Sequence, residues 1–235
     1  MSIWIRLRES IAAISRGQGL SDILSGLRGK PEHTVAFAIA IIALSAKMAK
    51  ADGQVTRTEI SAFREIFHIP PEEERNAARV YNLARQDVAG FGAYARQIAR
   101  MFAERRAMLR DILEGLVYVA AADGVYHPNE RLFLEEVADI FGIPEDEFRS
   151  IRARHLPGES DPFAVLGLAP DADSATARRH HRALVRELHP DRLVAMGVPE
   201  EARRFAERRL AAVNAAYETV SREIAARERG RDRVL

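Results

Sequence analysis

Two sets of side chains in this sequence have the types and spacing to do chemistry. The first is His189-Pro190-Asp191, in which an imidazole and a carboxylate flank a proline. A histidine beside an acid could act as an acid–base pair, but no serine or cysteine nucleophile elbow accompanies them, and the proline should turn the two side chains apart. The tripeptide therefore favours a binding tip over a hydrolytic site, and we predict that the protein is not an enzyme.

The second set is four carboxylates in two copies of one pattern. Asp52-Gly53 recurs as Asp123-Gly124, and Glu59 recurs as Glu130 at the same offset. If the copies pack face to face, the four acids could supply the oxygen ligands that calcium prefers. Helix capping explains part of the same pattern, because Glu59 ends a Thr-Arg-Thr-Glu capping box and Pro128 and Glu130 suit the start of a helix. A divalent-cation site, with calcium as the candidate ion, and capping alone are both left open.

Helices must position both sets, because strand-like alternation is almost absent from the chain. Apolar residues recur at helical spacing throughout, with breaks at clusters such as Ile69-Pro70-Pro71 and Leu156-Pro157-Gly158. The sequence therefore predicts an all-α fold with an internal pseudo-two-fold repeat. We predict five segments: an N-terminal amphipathic helical segment (1–29), a helical domain (30–155), a linker (156–160), a small helical hairpin domain (161–226) and a basic tail (227–235) that frays.

The hairpin domain is predicted from amphipathic helices on both sides of the tripeptide. Asp161 and Pro162 suit the start of a short helix, and Ser174 suits the cap of a longer one that ends before Pro190. Each long helix has an inward stripe: Ala177, His181, Leu184 and Leu188 in the first, and Ala206, Leu210, Val213, Tyr217 and Val220 in the last. Antiparallel pairing of the two stripes would display His189-Pro190-Asp191 at one end.

The outer face of the first long helix is basic, since Glu187 is its only acid. This helix, the tripeptide and the string Asp-Pro-Phe-x-Val-Leu-Gly over 161–167 together resemble the J domain of DnaJ-type co-chaperones. The resemblance implies a DnaK-type chaperone as partner, whose ATPase the J domain stimulates without covalent chemistry of its own. It assigns the partner contact to eight residues: Arg178, Arg179, Arg182, Arg186, His189, Pro190, Asp191 and Arg192.

The helical domain before the hairpin resembles the tellurite-resistance TerB family, which has duplicated Asp-Gly…Glu halves. By that resemblance, Asp52, Glu59, Asp123 and Glu130 match the family's metal-binding acids. A TerB-like domain followed by a J domain, with the later string Asn-Ala-Ala-Tyr-Glu over 214–218, resembles the DjlA branch of these co-chaperones. One departure is His181, which stands where J domains usually carry an inward tyrosine; we expect it to loosen the hairpin or to make it sensitive to pH.

Composition excludes several other classes of function. With no cysteine, the chain has no disulfide framework, no thiolate zinc site and no cysteine nucleophile. Lys and Arg number 35 against 34 Asp and Glu, so the net charge is +1 and no bulk nucleic-acid binding is expected. Zinc held by His180, His181 and His189 would need a different helical spacing, and the arginines lack the interleaved aromatic residues of a nucleic-acid patch.

The N-terminal segment leaves a question about membranes. One helical face of residues 3–14 is apolar and either packs on its own domain or contacts anionic lipid peripherally. Its residues are Ile3, Trp4, Leu7, Ile11 and Ile14. The DjlA branch carries an N-terminal membrane span, whereas the most apolar run here, over 35–46, is shorter than the ~20 residues that a span needs. We therefore predict a cytoplasmic protein, with peripheral contact at the cytoplasmic face of the inner membrane as the alternative.

The functional prediction is a J-domain co-chaperone with a TerB-like domain for sensing or for binding a client or partner. It requires no cofactor, and its clients and oligomeric state are not determined by the sequence. The alternative is a metal- or stress-responsive TerB-type binding protein in which the J hairpin does not act.

Overall fold

A computed structural model describes residues 39–49, 61, 74–86, 90–156, 161–195 and 200–232. All regular secondary structure in these ranges is helical, so the all-α prediction is confirmed. The helices are α1 (39–49), α2 (Glu74–Gln86), α3 (Phe91–Met101), α4 (Arg106–Ala120), α5 (Pro128–Phe141), α6 (Glu145–His155), α7 (Pro162–Val165), α8 (Ser174–Glu187), α9 (Pro190–Ala195) and α10 (Glu200–Asp232). The contacts divide the chain after Ile143 into two compact units.

The core of the first unit is built on α1 and α4. Every residue of α1 is buried, Ser45 and Lys47 included, and so are residues 112–117 of α4, among them Glu114. The two helices approach closely at Gly115, where a Cβ atom would lie 3.4 Å from Ile41 Cδ1. A larger side chain at Gly115 would therefore press on α1.

Helix α5 packs against α3 and α4 and carries Glu130 of the second copy of the repeat. The rings of Phe91 and Phe133 lie 4.5 Å apart at the contact with α3. Pro128 is the first residue of α5, as predicted, and the helix ends at Gly142, whose φ of 66° is left-handed. Arg106 Nη2 donates a hydrogen bond to the Gly142 carbonyl at 3.2 Å, so the start of α4 holds the end of α5.

In the second unit, α6 packs on the short helix α7. Ser150 Oγ donates to the Val165 carbonyl at 3.1 Å, and Ala153 belongs to the same apolar core as Phe163. We predicted the domain boundary at 156–160, after α6. The contacts instead group α6 with the helices that follow it, because the division lies between Ile143 and Pro144. Residues 157–160 lie outside the described residues. Helix α7 begins as predicted, because Asp161 Oδ1 accepts a hydrogen bond from the Phe163 amide at 2.9 Å.

The cap of α8 differs by one residue from the prediction. Asp173, and not Ser174, is the N-cap, and its Oδ1 accepts a hydrogen bond from the Thr176 amide at 2.7 Å. Hydrogen bonds from the Thr176 side chain and then from its amide hold the pKa of the Asp173 carboxyl below its ordinary value of 3.8. The extended backbone at Asp173 decides the position of the cap, and Ser174 is already helical.

The predicted pairing of α8 with α10 is confirmed. Ala177 and Leu188 of α8 and Val213 and Val220 of α10 are buried in one apolar core, with Leu184, Leu210 and Tyr217 packed against it. Helix α10 continues into the predicted basic tail, as far as Asp232. Arg227 Nη1 donates to the Pro170 carbonyl at 2.6 Å, and its guanidinium lies 4.9 Å from the centre of the Phe163 ring.

None of the described helices has both the length and the apolar composition that crossing a bilayer requires. The N-terminal prediction for residues 3–14 falls outside the described residues.

Candidate functional site

His189, Pro190 and Asp191 form an exposed tip between α8 and α9. The His189 side chain is 52% exposed and that of Asp191 is 93% exposed, so both groups are accessible to a partner. Helix α8 ends at Glu187, before the residue that proline excludes from helical geometry. Pro190 then begins α9, a helix that the sequence analysis did not predict. The tripeptide is therefore the junction of two helices and is held from both sides.

The two side chains of the tip are close together, which corrects our expectation that proline turns them apart. His189 Nδ1 accepts a hydrogen bond from the Asp191 amide at 3.2 Å and lies 3.7 Å from Asp191 Oδ2. The reason is the new helix: Pro190 occupies the first position of α9 and Asp191 the second, so the residue before the proline lies where a capping side chain belongs.

An open groove of about 370 Å³ runs along α8 to the tip. His181, Arg182, Val185, Arg186 and His189 line it, which is one face of the helix at spacings of one, three, one and three residues. The sequence analysis missed Val185. Its position three residues after Arg182 and four before His189 is the signal that could have placed it on this face.

The predicted arginines divide into those that line the groove and those beside it. All five, Arg178, Arg179, Arg182, Arg186 and Arg192, are exposed, and only Arg182 and Arg186 line the groove. Arg179 Nη2 donates to Thr176 Oγ1 at 3.2 Å and is held along the start of α8. Within the described ranges, no carboxylate pairs with Arg182 or Arg186. The groove therefore presents two positive charges to solvent.

His181 connects the two long helices at the floor of the groove. Its ring stacks on Tyr217 with centroids 4.0 Å apart and planes 7° apart, and its Nε2 lies 2.9 Å from Asn214 Oδ1. This imidazole therefore makes both a ring contact and a polar contact with α10, and the expectation that it loosens the hairpin or makes it sensitive to pH stays a prediction.

Only two of the four acids of the repeat, Asp123 and Glu130, belong to the described residues. Asp52 and Glu59 lie outside the described residues. Asp123 Oδ1 accepts a hydrogen bond from the Val125 amide at 2.9 Å, and Glu130 Oε2 accepts one from the His127 amide at 3.0 Å. The Glu130 contact is half of a capping box at the start of α5, and the Glu130 side chain is buried. The Asp123 contact spans two residues in the loop before α5 and is an Asx-turn. The two described acids therefore have local backbone contacts and do not by themselves form a cation site.

No group of three or more histidine, cysteine or acidic side chains forms a metal site in the part of the chain that the structure describes. Zinc at the histidines is not supported there, because His180 Nδ1 lies 3.3 Å from the Leu166 carbonyl while His181 faces Asn214. The two imidazoles thus contact different elements.

The chain is similar to known proteins over most of its length. Residues 38–153 match the family model described as tellurite resistance protein TerB. Co-chaperone protein DjlA of Aliivibrio fischeri is 28% identical, over 85% of this chain and 82% of the relative. The DjlA of Photobacterium profundum is 27% identical over 89% and 86%, and that of Escherichia coli K12 is 27% identical over 75% and 75%.

No solved structure matches the chain significantly. The matches to DjlA cover three quarters or more of both proteins, and the TerB match covers the part of the chain that carries the acidic repeat. The chain is therefore a DjlA-like protein with a TerB-like domain.

Proposed function

We propose that this protein is a co-chaperone that stimulates the ATPase of a DnaK-type chaperone through the groove and tip of its hairpin. The observation that carries the proposal is the exposed His189-Pro190-Asp191 tip at the end of a groove lined by two arginines that pair with no carboxylate of the described residues. The curated relatives named above are co-chaperones, which supports the same class of function.

Charge complementarity explains the docking step. Arg182 and Arg186 would face an acidic surface of the chaperone, which speeds encounter and sets the register of the two proteins. Val185 lies between them and would supply an apolar contact at the centre of the groove. The core that joins α8 to α10 holds this face rigid, so little conformational entropy is lost on docking.

Asp191 would act after docking. Its carboxylate is almost fully exposed and can pair with a cation of the chaperone. A contact made in only one state of the chaperone shifts its conformational equilibrium, and this is how a protein without covalent chemistry can accelerate hydrolysis by its partner.

The TerB-like domain would bind a client, a partner or a signal, and the protein would work in the cytoplasm or at the cytoplasmic face of the inner membrane. The alternative function, a metal- or stress-responsive binding protein, leaves the tip without a role.

The test is ATP hydrolysis by DnaK of the same organism with saturating protein. We expect stimulation by the wild type, a decrease of at least about tenfold in the rate increment above the basal value in Asp191→Asn, and no change in Arg149→Ala. Arg149 is an exposed arginine of α6 that does not line the groove, so it is the matched control. Absence of stimulation by folded wild-type protein, or full stimulation by Asp191→Asn, would refute the proposal and favour the alternative.

A further inference from the structure

We propose that His189 is a positioning residue: its neutral imidazole caps α9 through Nδ1 and thereby orients the Asp191 carboxylate. The inference rests on the proposed function for the use of that carboxylate, but its geometric part does not depend on the chaperone. The two residues of the tip then have different roles. Asp191 contacts the partner, and His189 Nδ1 makes a hydrogen bond within the protein.

The first step concerns the backbone amides at the start of α9, which need hydrogen-bond acceptors from outside the helix. The first amides of a helix have no partner within the helix, and a capping side chain normally accepts from the second or third of them. Pro190 is the first residue of α9 and has no amide hydrogen, so Asp191 offers the first unsatisfied amide. His189 Nδ1 accepts from it at 3.2 Å, which is the contact of an N-cap.

The second step is the protonation state that this contact requires. A ring nitrogen accepts a hydrogen bond only when it carries no proton, so the proton of the neutral ring must sit on Nε2. The Asp191 Oδ2 atom, 3.7 Å from the same Nδ1, would instead need a proton there. The two contacts exclude each other, and the first leaves the carboxylate available to a partner.

The third step compares asparagine and glutamine as replacements for His189. Nδ1 is bonded to Cγ, as is the amide oxygen of asparagine, and asparagine is among the strongest N-cap residues. Asparagine also bonds readily to the backbone amide two residues later, and Asn-Pro favours turns. Glutamine carries its amide one carbon further out, where Nε2 lies, and caps poorly. The two substitutions therefore separate the two nitrogens of the ring.

The first experiment compares His189→Asn with His189→Gln in stimulation of the DnaK ATPase. We expect His189→Asn to stay within about twofold of wild type and His189→Gln to lose about fivefold or more, the change expected for loss of a cap. Equal losses in both variants would mean that the ring itself contacts the partner, and that result would overturn the proposal.

The second experiment needs no chaperone. Long-range ¹H–¹⁵N correlation spectra of the protein at pH 7.5 report which ring nitrogen is protonated, and the His189→Gln spectrum identifies the His189 signals among the seven histidines. We expect a proton on Nε2 and a bare Nδ1. A proton on Nδ1 contradicts the proposal even if the ATPase is stimulated, whereas an unstimulated ATPase with a bare Nδ1 contradicts only the proposed function.

Discussion

At the scale of single residues, the charge of the groove comes from two arginines. Arg182 and Arg186 project into it without a carboxylate partner among the described residues, so their charges are available to a partner. We expect Arg182→Ala and Arg186→Ala each to slow association with DnaK by about threefold to tenfold near 0.1 M salt. The difference should shrink near 1 M salt, where the Debye length falls to about 3 Å.

This prediction is checked by stopped-flow association rates over a series of salt concentrations. Arg149→Ala again serves as the control, because it removes the same charge from another helix of the same unit. Arginine variants that associate as fast as the wild type at low salt would show that the groove is not the docking face.

The acids of the repeat permit a separate test at this scale. Asp123 and Glu130 each accept a backbone hydrogen bond, and the cation site formed with Asp52 and Glu59 stays a prediction. If calcium binds, calorimetry with the wild type gives a saturable heat that disappears in Asp52→Ala and Asp123→Ala. A flat titration of the wild-type protein would refute the site and leave the backbone contacts as the role of Asp123 and Glu130.

At the scale of elements, the caps decide how the site is held. Sequence patterns predicted α8 and the pairing of its stripe with α10, because burial of an amphipathic face depends on spacing that the sequence states directly. The patterns misplaced the cap of α8 and missed α9. The cap of α8 depends on the extended backbone at Asp173, and the neighbouring Ser174 is also a residue type that caps helices. Helix α9 has only six residues, too few for a periodic pattern to predict it.

The pH dependence of the cap of α8 follows from the lowered pKa of Asp173. In the folded state this carboxyl binds fewer protons than in the unfolded chain, so its contribution to stability is present above pH 3.8 and is lost as the pH falls through the lower folded-state value. We expect Asp173→Asn to keep the cap and to flatten this part of the stability profile. Urea denaturation of both proteins from pH 5 downward checks it, and parallel profiles would contradict it.

A second prediction at this scale concerns Arg227. Its hydrogen bond to the Pro170 carbonyl and its contact with the Phe163 ring join the end of α10 to the segment around α7. We expect Arg227→Ala to lower the free energy of unfolding of this unit by about 1–2 kcal/mol. The exposed neighbour Arg229 is the control, and its alanine variant should change the stability by less than about 0.5 kcal/mol. Equal effects in chemical denaturation would refute the role of Arg227.

At the scale of the whole molecule, the two compact units contain different candidate sites. The first unit contains Asp123 and Glu130, the two described acids of the repeat, and the second contains the groove and the tip. The tripeptide and the arginines of α8 were predicted from sequence because their residue types are distinctive. Val185 and the contact of His181 with Tyr217 were not, because an aliphatic side chain and a ring stack acquire meaning only when two helices are brought together.

The measurement that tests the central claim most directly is single-turnover hydrolysis of ATP by DnaK, with the full chain titrated from zero to excess. The account predicts that the hydrolysis rate rises at least about fivefold and saturates, because a docked tip shifts the chaperone toward its hydrolytic state. A rate that stays at its basal value while circular dichroism shows a folded helical protein, or an equal rise with Asp191→Asn, would contradict it.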